Sequence, residues 1–337
     1  MNIYILIFRR IVLTVPVLIG VTVITFAVAH AVPGDPARAI AGMYADQQTV
    51  DAIRRQWGLD RPLPVQYLEY LKHLVHGDLG QSITTRDNVL GDILHRLPAT
   101  LELAFFALFV MCVFGILLGI AAAVWRNRSP DHVARLIVVL GAAMPSFFLG
   151  LLLQLLFFRY LNWLPATGRL DEFAQAPTHI TGLYLVDSVL TLNGSAFVDA
   201  LKHIVLPGVT LALLGLAGIT RMTRATMSEV LQQDYIRAAR ARGIGFHSLI
   251  FRHALKNSLI PTVTVIGLLF GSMIGGAVVI EWIFAWPGIG SYAADAVTSL
   301  DYNAIMGAGL AIAVVYVIAN LLVDVSYMVL NPQIRER

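Results

Sequence analysis

Only a handful of side chains in this 337-residue chain set a reactive group within or beside an apolar run. Glu102 and Glu281 stand near the same end of two long apolar runs, and Asp324 stands near the opposite end of the last run, beside Asn320. A carboxylate at membrane depth is a functional candidate by default, because its charge is costly to bury unless it meets a partner. Close to the water interface the same groups also serve as structural hydrogen-bond acceptors, so both readings stand for these four. His73, His76 and Asp78 are near enough in sequence for a metal, but a fourth ligand is lacking and no metal site is expected. A phosphate cradle needs a glycine-rich turn ending in Gly-Lys-Ser/Thr. None of the three lysines, Lys72, Lys202 and Lys256, follows a glycine. Neither a Gly-x-Ser-x-Gly elbow nor a His-Glu-x-x-His pair is present. No catalytic residue is expected, and ATP hydrolysis, if it drives this protein, must come from another subunit.

The composition says what surrounds those groups. Apolar residues make up 57% of the chain and charged residues 13%, against about 25% charged in soluble proteins. Lipid must therefore cover much of the surface. The net charge of +3 is scattered and forms no basic stripe of the kind that binds nucleic acid. The one cysteine, Cys112, lies in an apolar run and reads as a packed or lipid-facing thiol.

Six apolar runs are long enough to cross a bilayer as helices. They extend from Ile11 to Val32, Ala99 to Trp125, Val133 to Phe158, His203 to Thr220, Leu259 to Phe284 and Ala304 to Leu330. The fourth is the weakest, being short and carrying Pro207. The first follows Arg9 and Arg10 and ends in Ala29-His30-Ala31, much like a secretory signal, but it is longer than a signal core and reads as an uncleaved span. The expected organisation is residues 1–32 as the N-terminus and first span, 33–98 as an extracytoplasmic helical segment, and 99–330 as a five-helix core. That core carries an outer loop at 159–202 and an inner segment at 221–258, and residues 331–337 form a tail. An even number of spans puts both termini on one side. Arg126, Arg128 and Arg135 flank one short turn, seven basic residues lie between Arg221 and Lys256, and Arg335 and Arg337 close the tail. The loop from Ala285 to Asn303 has no basic residue, so the termini are expected in the cytoplasm.

The outer segment shows one helix with Val50, Ile53 and Trp57 on a face, Asp46 as N-cap and Gly58 as stop, and a second from Pro64 to His76 ended by Gly77. They either cover the outer mouth or receive a partner, or form a small cap packed on the protein's own spans. The inner segment shows a helix from Met227 to Ala241 stopped by Gly243, then a second beginning near Phe246. Phe246, Leu249, Ile250 and His253 share a face of that second helix. Such a stripe either docks into a partner's groove or lies on the protein's own helix ends. Glycines recur at Gly115 and Gly119 and at Gly267, Gly271 and Gly275, where helices can approach closely, within the chain or against a second subunit.

One stretch carries a family resemblance. Asp234-Tyr235-Ile236-Arg237-Ala238-Ala239-Arg240-Ala241-Arg242-Gly243, with His253 to Asn257 and Leu259-Ile260-Pro261 after it, resembles the "EAA" coupling motif of ABC importer permeases. Arg237 stands where the general motif has glutamate. Phe8-Arg9-Arg10, Val32 to Pro36, Gly77 to Gly80, Pro98 to Leu103, Leu164 to Gly168 and Trp286 to Gly290 are similar to the dipeptide and oligopeptide permeases, and Thr181 to Asp187 to the dipeptide branch. The resemblance implies an all-α membrane protein with the six-helix type I importer permease fold, methionine-importer-like, with extracytoplasmic helical insertions. It implies a second homologous permease, two ATPase subunits that bind ATP and Mg²⁺, an external binding protein and a short-peptide substrate, in a bacterial inner membrane. This chain would hold no cofactor itself. Arg237, Ala238, Ala239, Arg240, Ala241, Gly243, Phe246, Leu249, Ile250 and His253 would form the ATPase-coupling segment, and Glu102, Glu281, Asn320 and Asp324 candidate contacts along the pathway. Nickel and glutathione permeases are close alternatives. An ion-coupled secondary transporter and a structural membrane scaffold are the rival classes; the first would show repeated halves with interrupted helices, which the sequence does not display, and the second would not need the inner helix pair.

Overall fold

A computed structural model describes the backbone of residues 3–42 and 44–330, and the side chains of residues 10, 12–42 and 44–323. The described chain is helical almost throughout. Helix α1 (Ile3–Ala31) is followed by α2 (Pro36–Ala41), α3 (Gln47–Gln56) and α4 (Leu63–Val75). Asp46 accepts from Thr49 N–H and starts α3, while Gly58 and Gly77 adopt positive φ after α3 and α4. Helix α3 thus begins at its side-chain cap, and both outer helices end at a glycine in positive φ, while α4 starts after Pro62 without a side-chain cap. Helix α4 lies on the protein's own spans: Tyr67 meets the Thr22 hydroxyl at 2.9 Å, and His30 meets Gln66 at 3.1 Å.

The rest of the chain runs through α5 (Val89–Val124), α6 (Ser129–Ala143), α7 (Ser146–Leu153), α8 (Tyr184–Leu190), α9 (Gly194–Val230), α10 (Asp234–Ala241), α11 (Leu255–Ile283), α12 (Ile289–Thr298) and α13 (Tyr302–Leu330). Wider π-type turns at Gln154–Tyr160 and Ser248–Ala254 extend α7 and lead into α11. Among the described residues, five helices are long and apolar enough to cross a membrane, and the pair Ser129–Ala143 and Ser146–Tyr160, bent by 112°, brings the number to six when counted as one span. The third expected span is therefore not one continuous helix. Pro145 has no N–H to give and pushes Met144 into extended backbone (ψ 133°), so the helix cannot pass through.

The fourth span corrects the sequence reading most. Helix α9 has 37 residues, about 55 Å at 1.5 Å each, and runs far beyond His203 to Thr220. Of its most apolar stretch 72% is buried inside the protein, against 17% for α1. It packs against α5, α6, α8 and α11, so protein rather than lipid surrounds Gly208, Thr210, Gly215 and Thr223. Such a helix needs less hydropathy than one in lipid. Leu103, Met111, Ile204, Leu211, Ile219, Met273 and Ile280 form the central core. One flanking core joins Phe26, Val89, Tyr292 and Ile305, and another joins Ile120, Ala123, Met227 and Ile236.

Candidate functional site

The inner helix pair is built on that last core. Helix α9 stops at Val230 instead of continuing to Ala241; after a turn at 231–233 the chain restarts as α10, which buries Ile236 and Ala239. At its end Gly243 takes φ +77°, Gly243 N–H reaches Arg240 O at 3.0 Å and Ile244 N–H reaches Ala239 O at 3.3 Å. That is a Schellman ending, and Ile244 packs on the same core, as such endings favour. The second helix begins at Phe246 and continues unbroken into α11. Leu249 and Ile250 are buried against Met227 and Ile236, and His253 is half-buried. Arg237, Ala238, Arg240, Ala241, Gly243 and Phe246 remain exposed, with Tyr235 and Phe251 beside them. The residues expected to form the coupling segment therefore divide into a face that anchors the pair and a face free of intrachain cover. Asn257 donates to the Tyr235 hydroxyl at 2.9 Å and ties the two helices together.

At the opposite end, four of the short stretches singled out in the sequence meet. Trp286 Nε1 donates to Ala99 O at 2.8 Å, and Ile289 N–H donates to Thr100 Oγ1 at 2.8 Å. Gly168 N–H donates to Phe284 O at 2.9 Å. Glu102, 6% exposed, accepts from Arg169 at 2.5 Å and from Leu185 N–H at 2.7 Å. Arg169 also donates to Gly182 O, and its guanidinium lies 3.7 Å from the Tyr184 ring centroid. Glu281 is fully buried and accepts from Gly290 and Ser291 N–H, at 2.7 and 3.1 Å, at the start of α12. A helix start presents free N–H groups to an anion. The glycines of the Trp286 to Gly290 stretch are needed there, since a Cβ on Gly288 would collide with the Glu281 carboxylate and one on Gly290 would lie 2.5 Å from Val278 Cα. Both carboxylates are thus engaged in hydrogen bonds that tie these loops together at this end of the helices. Asn320 Oδ1 sits against Gly271, across α11 and α13. The Asp324 side chain and the tail at 331–337 lie outside the described residues.

Several interactions escaped sequence reasoning. Arg169 is invisible as a partner of Glu102, being 67 residues away. Asp131, with no exposed side chain, is held by Arg135 (2.7 Å) and Arg224 (2.9 Å) and joins α6 to α9. Asp301 is buried and accepts from Ser82 Oγ and from Ile83 and Thr84 N–H, pinning the loop before α5 to the start of α13. Asp187, 1% exposed, gathers the Ile180, Thr181 and Gly182 amides and the Thr181 hydroxyl. A lone acid in a mostly apolar chain was the available signal in each case. His73 Nδ1 stands 3.2 Å from Asp78, while His76 turns to the Lys72 carbonyl.

Membrane-length helices around a mostly buried central one, with a half-exposed helix pair at one end, are the build of a multi-pass membrane transport subunit. The chain belongs to the family described as the binding-protein-dependent transport system inner membrane component, whose model matches residues 115–336; the model of that component's N-terminal part matches residues 3–104. It is a permease of the inner membrane and not its system's ATPase. It is 46% identical to the probable D,D-dipeptide transport system permease protein of Escherichia coli (strain K12), over 94% of both chains. It is 41% identical to the dipeptide transport system permease protein of Alkalihalophilus pseudofirmus, over 97% of this chain and 98% of that one. It is also 38% identical to a glutathione transport system permease protein of Salmonella choleraesuis, over 97% of both.

Proposed function

We propose that the chain is one of two homologous permeases of an ATP-driven importer, and that the pathway between them carries dipeptides and other short peptides. The observation that carries this is the inner helix pair, anchored by Ile236, Ala239, Leu249 and Ile250 while its Arg237, Ala238, Arg240, Ala241 and Phe246 face stays free. A firmly mounted surface of that kind passes a partner's motion directly to α9 and α11. In this reading two ATPase subunits dock there and bind the ATP and Mg²⁺, both termini lie in the cytoplasm, and an external binding protein delivers the peptide. The names of the dipeptide relatives support the substrate class. The glutathione relative favours a second reading, in which the cargo is glutathione, a γ-linked tripeptide.

Reconstitution in liposomes tests the proposal. The chain alone should hydrolyse no ATP, whereas the complex with the second permease, ATPases and loaded binding protein should hydrolyse it and accumulate labelled dipeptide. Hydrolysis by the purified chain, or uptake driven by an ion gradient without ATP, would reject it.

A further inference from the structure

We propose that a cleft between α5, α6 and α9, beside the inner helix pair, binds the headgroup of an acidic phospholipid. The cleft has a volume of about 550 Å³ and is lined by Arg135, Val138, Val139, Thr220, Arg221 and Arg224, among others. Its charges do not balance. Arg135 and Arg224 share the single carboxylate of Asp131, and Arg221 has no hydrogen bond or ion pair among the described residues. Three guanidiniums thus face one acid. Arg135 and Arg224 each use Nε and one terminal nitrogen on Asp131, which leaves donors free on both.

A second observation points to a ligand. Thr220 is 2% exposed, yet its hydroxyl has no hydrogen-bond partner. A buried hydroxyl left unpaired is costly, and an oxygen-rich group in the cleft would satisfy it. The guanidinium fork matches phosphate oxygens two at a time. Basic pockets between helices at the cytoplasmic face suit acidic headgroups. A membrane lipid fits better than free phosphate, because one wall is apolar and continues outward. Val138 is buried, whereas Val139 is 60% exposed and lies on the same helix as Leu136 and Leu140, both exposed. An acyl chain can follow that surface while its phosphate stays by the arginines. The inference rests on the membrane placement proposed above and not on the substrate.

The test uses the whole complex in nanodiscs of equal phosphatidylglycerol and phosphatidylcholine, with retained lipid counted by native mass spectrometry. Wild type should retain phosphatidylglycerol in preference. Arg221→Gln leaves the Asp131 pairs intact and should lower that retention about five-fold, with Arg221→Lys largely restoring it. Val139→Glu, at an exposed position, should lower it similarly by repulsion. Equal retention of both lipids by wild type, or no change in either variant, overturns the site. Displacement of the retained lipid by millimolar inorganic phosphate would also overturn it, assigning the cleft to free phosphate. Peptide uptake does not enter this readout, so a wrong substrate class cannot imitate either result.

Discussion

At the residue scale, the outer end is held by buried charges whose partners come from distant loops. Removing one partner of a buried ion pair costs about 3–5 kcal/mol, mainly because the other charge is left alone. Arg169→Met should therefore destabilise the protein more than Glu102→Gln and Arg169→Met together, in which no charge is stranded. Thermal unfolding in detergent checks this, and simple additivity would show that the pair is not coupled. Asp187 allows a test by pH. Burial alone would raise its carboxyl pKa, but the Thr181 hydroxyl and the Thr181, Ile180 and Gly182 amides outweigh it and hold it below the ordinary carboxylate value. A depressed folded-state pKa gives stability that is complete above the unfolded value and is lost as pH falls through the folded one. Hydrogen exchange at residues 180–182, corrected for its intrinsic pH dependence, should stay flat from pH 8 to about 5 and rise only below about 4. Asp187→Asn should show the faster exchange already at neutral pH.

At the element scale, the inner pair separates a buried face from an exposed one in a way that spacing alone did not reveal. The Phe246, Leu249, Ile250 and His253 stripe admitted either a partner or the protein's own helix ends; Leu249 and Ile250 pack on the chain's own helices, while Phe246 stays exposed. Ala239 faces inward, so Ala239→Asp should unseat α10 and lower the unfolding temperature. Ala238→Glu and Ala241→Glu, on the exposed face, should leave stability unchanged while reducing copurification of the ATPase. Retained ATPase binding in both exposed-face variants would remove that face from the coupling role. Gly243 is exposed and its part is the helix ending: nothing lies within 4 Å of a Cβ built there, so Gly243→Val costs only the left-handed backbone, about 1–2 kcal/mol. The glycine repeats resolve too. Gly115 and Gly119 admit Ile219 and Thr223 of α9 and Gly271 admits Asn320 of α13, while a Cβ on Gly275 would meet nothing.

At the scale of the whole molecule, the turn at 125–128 and the inner pair share one end, since Asn127 N–H bonds to Asp131, Asp131 to Arg224, and α10 packs near Ile120 and Ala123. The loop around Ala174 lies at the opposite end, where Ala174 N–H bonds to Asp171 O and Asp171 N–H to the Asp199 carboxylate at the start of α9. In a Cys112→Ala background, single cysteines at Asn127, Ala174 and Arg335 should differ toward an impermeant thiol reagent added outside intact cells. Only the Ala174 site should react; labelling at Asn127 would invert the orientation.

Length, hydropathy and capping residues by themselves determined the helical membrane class, five of the spans, both outer helices and the glycine stop at Gly243. These are local properties: a span declares itself through its own apolar run, and a helix end through its own cap. The tertiary structure alone decided the length of α9, the break between α9 and α10, and the partners of Glu102, Glu281 and Asp131. The physical reason is the same in each case. A helix wrapped in protein needs little hydropathy of its own, and a buried charge is balanced by whichever donor the fold brings near. For Glu102 that donor is 67 residues along the chain, and no spacing in the sequence records it.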